Sequence, residues 1–155
     1  MSGHAELPRI VTFRVGRDLF AAPLERVERV LRYETPRRVP GTPDWVEGVI
    51  DYAGRAVPLV DLRRRFGVDQ TSAAAQSRVL VLSAGTEWMA VVVDAVLDVR
   101  PLADGALEEP PTFFRGGAAD AMRGMTRRGD DLVVVIDVDR LFAPAHRGEA
   151  VHRDG

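Results

Sequence analysis

The chain's 155 residues suffice for one domain or two very small ones, and a hydrophobic content of 46% is enough to fill a core. A formal net charge of −2 gives no global field for a nucleic acid or an anionic bilayer, and the lack of cysteine excludes disulfides, thiolate metal sites and a thiol nucleophile. The three histidines, His4, His146 and His152, all fall in terminal segments, so the commonest general base and metal ligand near neutral pH is missing from the central region.

In chain order, the segment Met1 to Glu6 lacks the basic start and apolar stretch of a signal peptide, and residues 1–8 read as a flexible N-terminus. Short β-branched and aliphatic runs follow, bounded by Gly, Pro and charged residues, without sustained helical periodicity. They predict strands near Ile10 to Val15, Leu19 to Leu24, Val27 to Arg32, Glu47 to Tyr52 and Arg55 to Val60, then Arg78 to Ala84, Glu87 to Val93, Val96 to Pro101, Met122 to Arg128 and Asp131 to Ile136. The longest aliphatic stretch, Ala90 to Val93, stops at Asp94, far short of a membrane span, so a cytoplasmic chain without direct membrane insertion is expected. Residues 143–155 read as a flexible tail.

The two halves resemble each other. Sliding residues 11–21 onto 80–90 carries Gly16 onto Gly85, Glu25 onto Asp94, Val27 onto Val96 and Val30 onto Val99. Further on, Gly48-Val49 matches Gly124-Met125, and Val60-Asp61-Leu62 through Phe66 matches Ile136-Asp137-Val138 through Phe142, with extra residues accommodated in the Pro-rich stretch Leu102 to Arg115. Gly16 and Gly85 stand where hairpin turns need positive φ. Asp61 and Asp137 each end a strand and precede a short apolar and basic run, the pattern of a helix N-cap. Five short strands have too little surface for a sandwich and curl into a small barrel. The expectation is therefore all-β: two small barrels, about 9–66 and 78–142, with Gly67 to Gln76 crossing between them and the possibility of intertwined subdomains left open.

The block from Pro40 to Arg63 resembles the signature region of the CheW family of chemotaxis coupling proteins, with Pro43, Trp45, Gly48, Gly54, Pro58, Asp61 and Arg63 all in register. The resemblance runs from about Ile10 to Phe142. It implies two SH3-like five-stranded barrels, no catalysis and no cofactor. It also implies two partners, the regulatory domain of a CheA-type histidine kinase and the cytoplasmic helical-hairpin tip of a methyl-accepting chemoreceptor, which would recruit the protein to membrane-bound receptor arrays. Carried onto this chain, a receptor-facing groove between the barrels would include Val27, Arg29, Val30, Ala90 and Val99. The kinase-binding or signalling surface would include Tyr52, Ala53, Arg55 and Val57. Two positions depart from the family pattern: Asp51-Tyr52-Ala53-Gly54 stands where Asn-Leu-Arg-Gly is usual, and Arg29 stands where the third strand is often acidic. Both changes suggest an adaptor for a divergent chemosensory pathway.

Simpler readings compete with several of these assignments. Gly48 and Gly54 serve backbone geometry more naturally than contact. Arg63-Arg64-Arg65, Arg37-Arg38 and Arg127-Arg128 each have Asp or Glu nearby and read as solvated faces. Trp45 is expected to anchor a helical turn to its barrel and Trp88 to be half-buried, and Val27 and Val99 could be ordinary core. A small barrel binding single-stranded nucleic acid is the alternative, but at 6% aromatics with no Arg interleaving the stacking platform is missing. An enzyme using Asp51 or Asp94 lacks any orienting partner in the sequence.

Overall fold

The computed structural model describes residues 7–66, 77–103, 105–109 and 121–141. Alternating aliphatic runs fold into ten strands: β1 (Arg9–Val15), β2 (Asp18–Pro23), β3 (Val27–Arg32), β4 (Val46–Tyr52), β5 (Arg55–Val60), β6 (Arg78–Ala84), β7 (Glu87–Val93), β8 (Ala95–Pro101), β9 (Met122–Arg128) and β10 (Asp131–Ile136). A 3-10 turn at Leu24–Arg26 links β2 to β3, the helix α1 (Leu62–Phe66) follows β5, and a matching helical turn at residues 138–141 follows β10. Strand positions agree with the sequence reading to within a residue at each end. The crossing segment Gly67 to Gln76, the terminal segments 1–6 and 142–155, and all three histidines lie outside the described residues.

The partition of strands corrects the expected boundaries. One five-stranded sheet has the order β8-β1-β2-β10-β9 and the other β3-β6-β7-β5-β4, so neither barrel is a contiguous half of the chain. The first takes its opening hairpin from the N-terminal half and its other three strands from the C-terminal half. The pairings obey the duplication: the parallel pair Leu59 with Ala90 in one sheet is repeated by Val135 with Ala21 in the other, and Val30 with Leu80 is repeated by Val11 with Val99. The two sheets are thus related by an approximate two-fold axis. Each sheet is closed by the segment that follows its edge strand. Arg37 exchanges backbone hydrogen bonds of 2.9 and 2.8 Å with Val49, and Glu108 does so with Met125 at 2.7 Å in both directions.

That closure explains two glycines. A Cβ on Gly48 would lie 2.2 Å from the Arg37 carbonyl oxygen, and one on Gly124 would lie 2.8 Å from the Glu108 carbonyl oxygen. Only hydrogen in place of a side chain allows the backbones to approach so closely.

Three apolar clusters account for the core. Ile50, Val57, Leu59, Val79, Val81 and Ala90 fill the β3–β7 barrel, and Ile10, Leu19, Ala21, Val133 and Val135 fill the other. The opposite faces of the same strands, with Phe13, Phe20, Leu80, Leu82, Val91 and Ile136 among them, pack the two sheets together. Strands β1, β2, β6 and β7 are buried on both faces, which is why they read as near-continuous apolar runs rather than as strict alternation.

Candidate functional site

The edge strands β3 and β8 lie at equivalent places in the two sheets and are the least buried of the ten. Val30 on β3 is 44% exposed and its counterpart Val99 on β8 is 49% exposed. Arg29 stands exposed beside Val30, and Val27 is half-buried against the cluster between the sheets. Burying an exposed valine is worth on the order of 1.5 kcal/mol, so a matched pair of them is a meaningful apolar contribution to a docking partner. Ala90 is not part of this surface: it is fully buried in β7 inside the β3–β7 barrel, hydrogen-bonded into the sheet between β5 and β6. Transferring a position along a strand does not say which of its two faces the side chain takes, and Ala90 takes the inner one.

The second candidate surface is the β4–β5 hairpin tip. Ala53 has φ +50° and Gly54 φ +78°, both left-handed, as a two-residue turn between twisted strands requires. Ala53 is the one non-glycine residue with positive φ among the described residues. Beside the turn, the Tyr52 ring packs on Trp88 with centroids 4.9 Å apart, and the Arg55 guanidinium lies 4.2 Å over the Trp88 ring. Arg55 Nη2 also donates to the Thr86 carbonyl at 2.8 Å, tying this tip to the β6–β7 turn. Tyr52, Ala53 and Arg55 therefore share one surface with Trp88, which the sequence reading had not joined to them. Val57 is corrected in the same way as Ala90: it is 1% exposed, facing the core. Asp51, in the departing block, is exposed and pairs with Arg37 at 2.9 Å.

The remaining block residues hold the scaffold. Asp61 Oδ1 accepts from the Arg63 amide at 2.9 Å and so caps α1, while Asp137 accepts from the Arg140 amide at 3.1 Å in the second half. The Trp45 carbonyl accepts from the Asp61 amide at 2.7 Å, and Arg65 lies over the Trp45 ring, so Trp45 does anchor the helical turn. Pro43 offers its carbonyl to the Val46 amide at 3.0 Å, and Pro58 sits in β5 opposite Val49. The basic run is the larger correction, since Arg63 and Arg65 are only 6% and 8% exposed and Arg64 alone faces solvent. Arg63 Nη2 reaches Asp94 at 2.6 Å, and the same carboxylate accepts from the Gly16 amide. The pair clasps α1 to the β1–β2 turn of one sheet and to the end of β7 in the other. The second half departs from this clasp: Asp139 stands at the place of Arg63 and pairs with Arg26 at 3.0 Å, beside Glu25 at the place of Asp94. The Arg26 guanidinium holds the Asp139 carboxyl below the usual carboxylate range.

A polar hollow of about 730 Å³ adjoins α1, lined by Tyr33, Arg38, Glu47, Asp61 and Arg64 among others. Glu47 is pushed up from its ordinary value chiefly by burial, with the Asp61 carboxylate adding to it. The Tyr33 hydroxyl donates to Glu47 at 3.4 Å. No helix among the described residues is long and apolar enough to cross a membrane, and among the same residues no group of Asp, Glu, His or Cys is arranged to hold a metal.

Set against known proteins, residues 9–145 match the CheW-like domain. The chemotaxis protein CheW of Klebsiella aerogenes is 26% identical over 143 residues, covering 92% of this chain and 86% of that protein. The protein FrzA of Myxococcus xanthus is 32% identical over 145 residues, covering 91% and 88%. Among solved structures, the scaffolding protein TtCheW of Thermoanaerobacter tengcongensis superposes with a TM-score of 0.81 at 25% identity, covering 92% of each chain.

Proposed function

This chain belongs to the CheW-like family, a family of non-catalytic scaffolds, and is a chemotaxis coupling adaptor with the duplicated SH3-like fold; from that footing we propose that it couples a chemoreceptor's cytoplasmic tip to the regulatory domain of a CheA-type histidine kinase. The observation that carries the proposal is the pair Val30 and Val99, exposed at equivalent places on the two edge strands. An amphipathic receptor helix would lay its apolar positions across them, with Arg29 and the partly buried Val27 alongside. The kinase would engage the β4–β5 tip through Tyr52, Ala53 and Arg55. Binding of a single-stranded nucleic acid is not favoured: the family points elsewhere, and Tyr52 packs tilted against Trp88, whose ring lies under Arg55, instead of the two offering free faces to bases.

The departures at Ala53 and Arg29 support a specialised pathway with its own receptor. Arg29 presents a cation where an acidic residue is often found, and Ala53 removes one where Arg is usual, so the charge changes at both surfaces together. Co-sedimentation of this protein with the kinase and receptor tip from the same cell, followed by reconstitution of kinase activity with and without it, tests the coupling. Recruitment of neither partner would overturn the proposal. For the specialised pathway, exchange into a chemotaxis system lacking its own adaptor is expected to restore kinase control poorly, and full restoration would refute it.

A further inference from the structure

The duplication makes each barrel a template for the other, and at one end the two templates differ. In the β3–β7 barrel the end near the hairpin tips is closed by Trp88, with Tyr52 packed on its ring and Arg55 laid over it. At the corresponding places in the other barrel stand Leu19, Arg128 and Asp131. The largest side chain of the set has become leucine, and Arg128 is turned to Asp98 at 2.9 Å. A cleft of about 590 Å³ opens there, with Leu19, Phe20, Leu97, Met122, Met125 and Leu132 in its lining. Leu132 is 46% exposed at its margin. Asp18 and Asp131 also line it, and neither forms an ion pair among the described residues.

We propose that this cleft is a docking site for an aromatic side chain of a partner protein, one flanked in its own sequence by lysine or arginine. The chain shows within itself what fills such a space, an indole ring under a guanidinium. In the open barrel the carboxylate of Asp131 stands at the place of that guanidinium, so on that side the cation over the ring comes with the guest and meets the opposite charge at the rim. Two methionines in the lining suit the role, because their unbranched thioethers adapt to an aromatic guest. Arg14 and Arg17 also border the cleft, but Arg14 Nη1 is turned to the Gly16 carbonyl at 3.4 Å. That the partner is a protein rests on the adaptor reading; the recognition of an aromatic next to a cation does not.

The test uses the full chain with its Leu and Met methyl groups labelled for NMR, titrated with the blocked dipeptides Trp-Lys, Trp-Glu and Leu-Lys. Saturable shifts are expected at Leu19, Leu97, Met122 and Met125 with Trp-Lys, with Leu-Lys at least tenfold weaker and Trp-Glu severalfold weaker. Leu19→Trp, which copies the closed barrel, is expected to abolish the shifts. Should that variant lose its native spectrum, Leu132→Lys at the exposed margin, which removes apolar lining and sets a like charge beside the guest's cation, is expected to weaken Trp-Lys binding at least tenfold. The proposal is overturned by any of three results: no saturable shift, equal binding of Leu-Lys or Trp-Glu, or binding unchanged in the folded variants. Because no kinase or receptor is present, this outcome is separate from that of the co-sedimentation experiment.

Discussion

Replacing Arg63 with methionine keeps most of the apolar stem and removes the guanidinium from the clasp that joins α1, the β1–β2 turn and the end of β7. The Arg63 side chain is 8% exposed and that of Asp94 30%, with 2.6 Å between Nη2 and Oδ2. Breaking a fully buried ion pair by removing one partner costs about 3–5 kcal/mol, and an exposed pair about 0–1 kcal/mol. With one partner buried and the other partly solvated, the loss falls between, at about 2–3 kcal/mol. In a domain of this size that corresponds to a fall in Tm of roughly 4–12 °C. Urea unfolding of wild type, Arg63→Met, Asp94→Asn and the double variant measures both the loss and the coupling, expected to be about 1–2 kcal/mol. A loss below about 0.5 kcal/mol for Arg63→Met, or singles that simply add, would show that the arginine is only a buried stem and that the clasp reasoning is wrong.

Ala53→Gly relieves a left-handed φ and is expected to raise stability by about 0.5–1 kcal/mol in thermal unfolding; a lower Tm would contradict the turn assignment. Gly48→Ala and Gly54→Ala should separate sharply. The first forces a Cβ into the Arg37 carbonyl and is expected to cost about 3 kcal/mol or more, while the second has open space around it and pays only the left-handed strain, about 1 kcal/mol. Glu47 has its carboxyl raised above 4.5, so the folded state holds the proton more tightly than the unfolded one, and its ionisation on raising the pH through that region works against folding. Glu47→Gln should therefore be the more stable at pH 7, with the difference from wild type closing as the pH falls toward about 4.5; equal stability at pH 7 would count against it. Val30→Glu and Val99→Glu are expected to leave the melting curve in place and to reduce receptor-tip recruitment in sedimentation at least tenfold, whereas undiminished recruitment would remove the edge strands from the receptor surface.

Strands were legible because each run of Val, Leu and Ile is bounded by glycine, proline or charge, and the duplication was legible because Gly16, Asp94 and Asp61 recur with their apolar neighbours. Strand partners were not legible. The pairing of β2 with β10 and of β7 with β5 is a matter of long-range topology, which a period of two does not encode. Ala90 and Val57 were misplaced for a local reason, since an aliphatic residue in a strand buried on both faces carries no mark of which side it faces. Arg63 and Arg65 looked like solvated charge because burial of a cation is invisible until its partners, Asp94 and the Trp45 ring, are brought to it from elsewhere in the chain. A hint lay in the duplication itself: at the place of Arg65 the second helical turn carries Leu141, an apolar residue that marks the position as inward-facing. Trp88 escaped the tip assignment because it reaches Tyr52 and Arg55 across two hairpins distant in sequence.

The exchange of strands also sets an order of events on the ribosome. The β3–β7 sheet has all its strands once residue 93 has been synthesised, whereas the β1–β2 hairpin, made first, must wait for β8, β9 and β10. Until then its apolar faces, with Phe13 and Phe20, can lean only on the finished neighbour. The nascent chain thus carries an unpaired strand edge until β10 has emerged, and until then the β1–β2 hairpin is open to misassociation or to a holding chaperone.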